Sequence, residues 1–171
     1  HVPRLRQGAA PAIALTRFES GTSHLVIGAT GNVGPYLIRQ LAEMGASTIV
    51  AVSRSGAGTL ADLATELKAK GTTLVEVAAD AADEAAMTAL FDRCGADLPA
   101  LEGVYLAALS GDEALLTEMS DVQVNTMFRP KLDAAAVLHR LTLRTPVRRF
   151  VLFSSITGSL GSRGLGPNTA A

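Results

Sequence analysis

The chain has 171 residues, 48% of them hydrophobic and 18% charged, which suits one domain with a sizeable buried core. A formal net charge of -1, no Trp and only two Tyr argue against nucleic acid as a partner. No run approaches the ~20 apolar residues of a membrane span, and the single cysteine, Cys94, excludes an internal disulfide and fits a reducing, cytoplasmic compartment.

In chain order, residues 1–21 read as a linker, turn-like at 8–11 and 19–22. Val2-Pro3-Arg4-Leu5 reads as the tail of an upstream strand, and a first residue other than Met marks the chain as an expected piece of a longer polypeptide. A buried strand is predicted over 25–28 and a helix over 33–44, with Tyr36, Leu37, Leu41 and Met44 on its apolar face and Gly45 closing it. Strands follow at 48–52, 73–78, 103–106 and 149–153, with helices at 60–70 and 83–94 between them. A short helix is predicted over 112–119, and a longer one after Pro130, which suits a first helical turn. Cys94 falls in an apolar helical pattern and reads as core. Strand and helix alternate throughout. The fold class expected is therefore α/β, a doubly wound parallel sheet of Rossmann type with helices on both faces.

The first strand runs into Gly28-Ala29-Thr30-Gly31-Asn32-Val33-Gly34, and a helix starts at once. Glycines at that spacing keep side chains out of a tight turn, and the helix aims its first N–H groups at an anion. That is how a dinucleotide pyrophosphate is held. The second strand ends in Val52-Ser53-Arg54-Ser55. An acid at this point would accept from the ribose of NAD, whereas the Arg54 guanidinium, with Ser53 beside it, suits the 2′-phosphate of NADP. Asp80, just past the third strand, is placed either to touch the adenine or to cap the next helix. Ala107 and Ala108 are small enough for a nicotinamide ribose to lie on the backbone, and equally suit tight helix packing. Ser154-Ser155 ends the fifth strand, where a hydroxyl can orient a carbonyl. Lys131 lies on a helix expected beside that strand, where its ammonium would stabilise developing charge. No metal site is expected.

Together, the glycine turn, Val52-Ser53-Arg54-Ser55, Arg129-Pro130-Lys131-Leu132-Asp133-Ala134-Ala135 and Phe150-Val151-Leu152-Phe153-Ser154-Ser155 resemble the ketoreductase domain of modular type I polyketide synthases, a branch of the short-chain dehydrogenase/reductase superfamily. The segment 101–119 is similar to that family's fourth strand and following loop. The likeness spans about residues 21–171 and is greatest to synthases of long-chain cell-envelope lipids. It implies an NADP-binding ketoreductase domain over 22–171, shortened after the fifth strand, with residues 1–5 as the end of a preceding structural subdomain. It also implies NADPH-dependent reduction of a β-ketoacyl thioester on an acyl carrier protein, with the rest of the same synthase polypeptide as partner. The resemblance places the family Lys at Lys131 and the family Ser at Ser155, because the family Tyr lies 13 positions further on. That position is Asn168, and an amide is no proton donor at neutral pH. Either the domain is reductase-inactive and structural, or the natural gene carries Tyr there, which is the expectation. An atypical NADP-binding sensor shares the glycine turn but not Arg129-Pro130-Lys131. Gly111-Asp112-Glu113 is an imperfect form of the family's Leu-Asp-Asp marker of product configuration, Leu160 stands where the marker Trp of the other type would fall, and Leu109 replaces a usual glycine beside the nicotinamide.

Overall fold

Five runs rich in Val, Ile, Leu and Ala form five parallel strands in this computed structural model, which describes residues 17–56, 58–110 and 118–161. In chain order the elements are β1 (Thr22–Ile27), α1 (Gly34–Glu43), β2 (Thr48–Ser53), α2 (Ala61–Ala69), β3 (Thr73–Ala78) and α3 (Glu84–Arg93). Then come β4 (Ala100–Leu106), α4 (Asp121–Phe128), a π-turn (Arg129–Asp133), α5 (Ala134–Arg144), β5 (Arg149–Leu152) and α6 (Thr157–Leu160). Parallel neighbours need crossover connections, and helices supply them. The strand order is β3-β2-β1-β4-β5, so the chain winds outward from β1 to β3 and then returns to the other side of β1. This is the doubly wound sheet expected. Its direction of winding reverses between β1 and β4, which opens a crevice at the carboxyl ends of those strands.

Alternate residues of the central strands feed two cores, one on each face. Leu25 and Ile27 of β1 join Val50, Val104, Phe91 and Leu138 on one face, and Val26 joins Ile49, Ile38, Leu41 and Leu67 on the other. Helices α3 and α5 cover the first face, α1 and α2 the second. Cys94, predicted as core, is half-buried at the end of α3, where it borders the first cluster and its thiol points to the Leu90 carbonyl. Among the described residues no helix is long and apolar enough to cross a membrane.

Several local readings are corrected. Helix α1 buries Gly34, Ile38 and Leu41, and Tyr36 is 73% exposed, because 34, 38 and 41 make one stripe and 36 lies off it. Strand β4 begins at Ala100 instead of 103, since a register shift beside Ser23 and His24 lets Ala100 and Leu101 pair with Thr22 and Ser23. Of the short helix predicted over 112–119, residues 112–117 lie outside the described residues. Pro130 does not open a helix. It sits inside a helical run that already begins at Asp121, and the turn around it widens so that Ala134 N–H reaches back to the Arg129 carbonyl. Proline has no N–H for the regular ladder and crowds the preceding turn, which a π-turn relieves. The start of α4 had a sequence signature that periodicity alone did not show: Ser120 and Gln123 form a reciprocal capping box. Ser120→Ala is expected to cost about 1 kcal/mol in denaturant unfolding, and no change would contradict the cap.

The amino ends of β1, β4 and β5 hold a buried polar group. Glu102, 3% exposed, accepts from Glu19 N–H at 2.9 Å and the Thr22 hydroxyl at 2.7 Å, and pairs with Arg149. His24 is fully buried, 3.8 Å from Glu102, with the Tyr105 hydroxyl 3.3 Å from Nδ1 and the Phe18 ring against its face. Burial pushes the His24 pKa down to about 4; nearby Glu102 opposes this and Arg149 adds to it.

Candidate functional site

The site begins where β1 must turn without a side chain. Gly28 has φ +83°, and a Cβ on it would lie 2.7 Å from the backbone N and Cα of Ala108. Glycine is required there on both counts. The turn is tied down by Gly28 N–H and Ala29 N–H donating to the Val52 carbonyl at 3.0 and 3.2 Å, and by Gly31 N–H donating to the Gly28 carbonyl at 3.0 Å. Gly34 serves packing: a Cβ there would sit 2.3 Å from the Ala29 carbonyl oxygen, so only glycine lets α1 start against the turn. Gly31 is under less pressure, with 3.3 Å to the nearest atom.

Helix α1, like α2, has no side-chain cap at its start, whereas Asp83 caps α3 and Ser120 caps α4. Pro35 in its first turn carries no N–H, so the backbone donors there are those of its neighbours, beside a positive helix end. A cavity of about 710 Å3 opens there, over the carboxyl ends of β1 to β4. Of the residues predicted to bind cofactor, Gly28, Thr30, Gly31, Asn32, Val33, Ser53, Arg54, Asp80, Ala107 and Ala108 line this cavity and Gly34 does not. Ser55, Leu109, Ser110 and Pro130 line it as well. The Thr30 and Ser55 hydroxyls are 3.2 Å apart, and Arg54 donates to the Ser110 hydroxyl at 3.5 Å.

Asp80 does not cap α3; Asp83 does, accepting from the N–H groups of Ala85 and Ala86. Asp80 instead accepts from Ala82 N–H and from Arg129 Nε, each at 2.9 Å. Partial burial pushes the Asp80 carboxyl up, but those hydrogen bonds and the Arg129 and Arg54 charges outweigh it and hold it below the usual range. The pairing of Arg129 with Asp80 escaped sequence reasoning because the two lie 49 residues apart and no short motif records it.

A second cavity of about 250 Å3 joins Lys131 and Ser154 with Leu106, Ala108, Leu132, Ala135, Leu152 and Phe153. Ala108 lines both cavities. Burial pushes the Lys131 ammonium below the usual lysine range. Ser155 does not line this cavity; its hydroxyl oxygen accepts from Thr157 N–H at 3.3 Å and Thr157 Oγ1 at 3.0 Å. Asn168 and Gly111-Asp112-Glu113 lie outside the described residues. Among the described residues no group of three or more His, Cys, Asp or Glu could hold a metal ion.

The KR domain family model matches residues 22–171. A subunit of the phenolphthiocerol/phthiocerol polyketide synthase of Mycobacterium bovis is 61% identical over 170 residues, 99% of this chain and 11% of that protein. The mycoketide-CoA synthase of Mycobacterium tuberculosis is 39% identical over 86% of this chain and 4% of its own length. A solved structure of A-type ketoreductases from a modular polyketide synthase superposes with TM-score 0.85 at 38% identity, covering 95% of this chain and 36% of that one. The first ketoreductase of the tylosin synthase gives 0.81 at 32%, over 94% of this chain and 35% of that one. This chain thus spans about a ninth of the curated relative it matches at 61% identity and about a third of those solved structures.

Proposed function

We propose, since the chain belongs to the KR domain family of polyketide synthases, that it serves the NADPH-dependent reduction of a β-ketoacyl thioester carried on an acyl carrier protein. The observation that carries this reading is the glycine turn and start of α1 beside a cavity that shares Ala108 with the smaller cavity lined by Lys131. The residues fit a dinucleotide. The Gly28–Gly31 turn and the first N–H groups of α1 would hold the pyrophosphate. Arg54 with Ser53 would meet the 2′-phosphate, Asp80 would reach the adenine, and Ala107 and Ala108 would let the nicotinamide ribose lie on the backbone.

When bound, NADPH supplies the hydride. Lys131 holds positive charge beside the place where a carbonyl gains negative charge, and its ammonium makes a neighbouring donor more acidic. Ser155 has its acceptor positions filled by Thr157, which leaves its own O–H to donate to a substrate carbonyl and orient it. The proton that completes the alcohol needs a donor that Asn168 cannot be. This favours a second reading, a structural domain that binds nucleotide without turnover. The two readings separate in one assay on the full synthase polypeptide: NADPH binding by fluorescence, then NADPH oxidation with a β-ketoacyl thioester. Turnover supports the reductase. Binding without turnover, with Asn168 in the intact gene, supports the structural role. We place the domain in the cytoplasm as part of a larger synthase chain.

Arg54→Ala is expected to weaken NADPH binding by roughly ten- to a hundredfold, the worth of a charge-assisted hydrogen bond, and to leave NADH binding nearly unchanged. Equal losses for both nucleotides would refute the 2′-phosphate role.

A further inference from the structure

The pair between Arg129 and Asp80 joins the two halves of the site, and the function proposed above gives it no task. Asp80 belongs to the loop after β3 and lines the large cavity, which Lys131 does not. Arg129 is the first residue of the π-turn. The next residue, Pro130, lines the large cavity, and the one after it, Lys131, lines the small one. Successive residues of a helical turn point in different directions that are fixed relative to one another. Holding the first of the three therefore sets the direction of the third. A turn interrupted by proline has lost a ladder hydrogen bond that would otherwise fix its phase. Arg129 Nε donates to Asp80 Oδ2 at 2.9 Å, while Asp80 Oδ1 is itself held by Ala82 N–H, so the anchor is fixed at both ends. Asp83 and Asp133 add negative field around Arg129.

Resting on the reductase reading of this cavity, we infer that Arg129 is a positioning residue: its bond to Asp80 sets the phase of the π-turn and so aims Lys131 into the small cavity. The pair is half-exposed and contributes little to global stability, so variants that break it should fold. What it contributes is direction. It also makes the nucleotide end of the site and the Lys131 end mechanically dependent on one another.

The test is the pH-dependent acylation of Lys131 in the full synthase polypeptide without nucleotide, quantified by mass spectrometry of the peptide that carries it. Asp80→Asn separates position from charge. Removing a negative charge would, by electrostatics alone, move the Lys131 titration down. Release of the turn into water moves it up, toward the ordinary lysine range. We expect the upward shift in Asp80→Asn and in Arg129→Gln, and the wild-type titration in Arg129→Lys, which keeps a donor for Asp80. An unchanged or lowered titration in Asp80→Asn would overturn the inference. In turnover, Arg129→Gln should lose roughly tenfold in kcat, in the range that misplacing a distant group can cost. A loss confined to KM would also overturn it. A polypeptide that never reduces a β-ketoacyl thioester sinks the reductase reading, and the acylation profile still reports on the clamp.

Discussion

Gly28→Ala should cost about 3 kcal/mol of stability and abolish nucleotide binding. A left-handed backbone costs a non-glycine residue roughly 1 kcal/mol. The new methyl would overlap the backbone of Ala108, and backbone cannot swing aside as a side chain can. Such overpacking adds roughly 1–3 kcal/mol, a large share of a typical domain's stability. Moving Ala108 away would also separate β1 from β4 at the crevice where both cavities meet. Gly31→Ala is the control. Its Cβ would meet only the Gly28 carbonyl oxygen, at 3.3 Å, so stability should stay within about 1 kcal/mol while the methyl on the cavity wall weakens nucleotide binding. Urea unfolding and fluorescence titration with NADPH measure both effects. Wild-type stability in Gly28→Ala would contradict this account of the turn.

Acid should weaken the domain in two steps, both from the buried group at the amino ends of β1 and β4. His24 is neutral when folded, with its pKa lowered from 6.5 to about 4. Below pH 6.5 the unfolded chain takes up a proton that the folded chain refuses. Stability therefore falls as pH drops from 6.5 to about 4, by roughly 3 kcal/mol if His24 acts alone. The carboxyl of Glu102 behaves differently. Burial pushes it up, but hydrogen bonds from Thr22, Glu19 N–H and Arg149 outweigh this and hold it below its ordinary 4.5. Its contribution is present above that value and is lost as pH falls through its lowered folded pKa. His24→Phe should flatten the pH dependence of unfolding between 6.5 and 4 and leave the more acidic step. Glu102→Ala should cost roughly 3 kcal/mol at neutral pH, because it leaves the partly buried Arg149 charge, the Thr22 hydroxyl and Glu19 N–H without their acceptor. An unaltered slope in His24→Phe would show that this histidine does not set the acid sensitivity.

Much of this architecture can be read from local pattern. Val26, Val50 and Val104 lie in short apolar runs because central strands of a parallel sheet are covered on both faces. The glycine spacing records a backbone that cannot carry side chains, so the turn, the helix start and the cavity residues from Gly28 to Val33 are legible from the chain alone. Arg54, Ala107 and Ala108 follow from counting strands, since cavity residues of this fold sit just past strand ends. Where local rules compete, pattern reading fails. Pro130 has the chemistry of a first helical turn, and only the neighbouring Ser120–Gln123 box shows that the helix has begun earlier. Tyr36 counts as apolar by type, yet the stripe that meets the sheet runs through Gly34, Ile38 and Leu41.

The sequence by itself determined the order of strands and helices, the glycine turn and the residue types at the strand ends, because each depends on neighbours a few positions away. Only the tertiary structure decided that Asp80 faces Arg129 instead of capping α3, and that Gly34 packs instead of lining the cavity. It alone showed that Ala108 belongs to both cavities and that His24, Glu102 and Arg149 share one buried group. Each of these depends on residues far apart in the chain, brought together by the winding of the sheet, and no local spacing encodes that meeting.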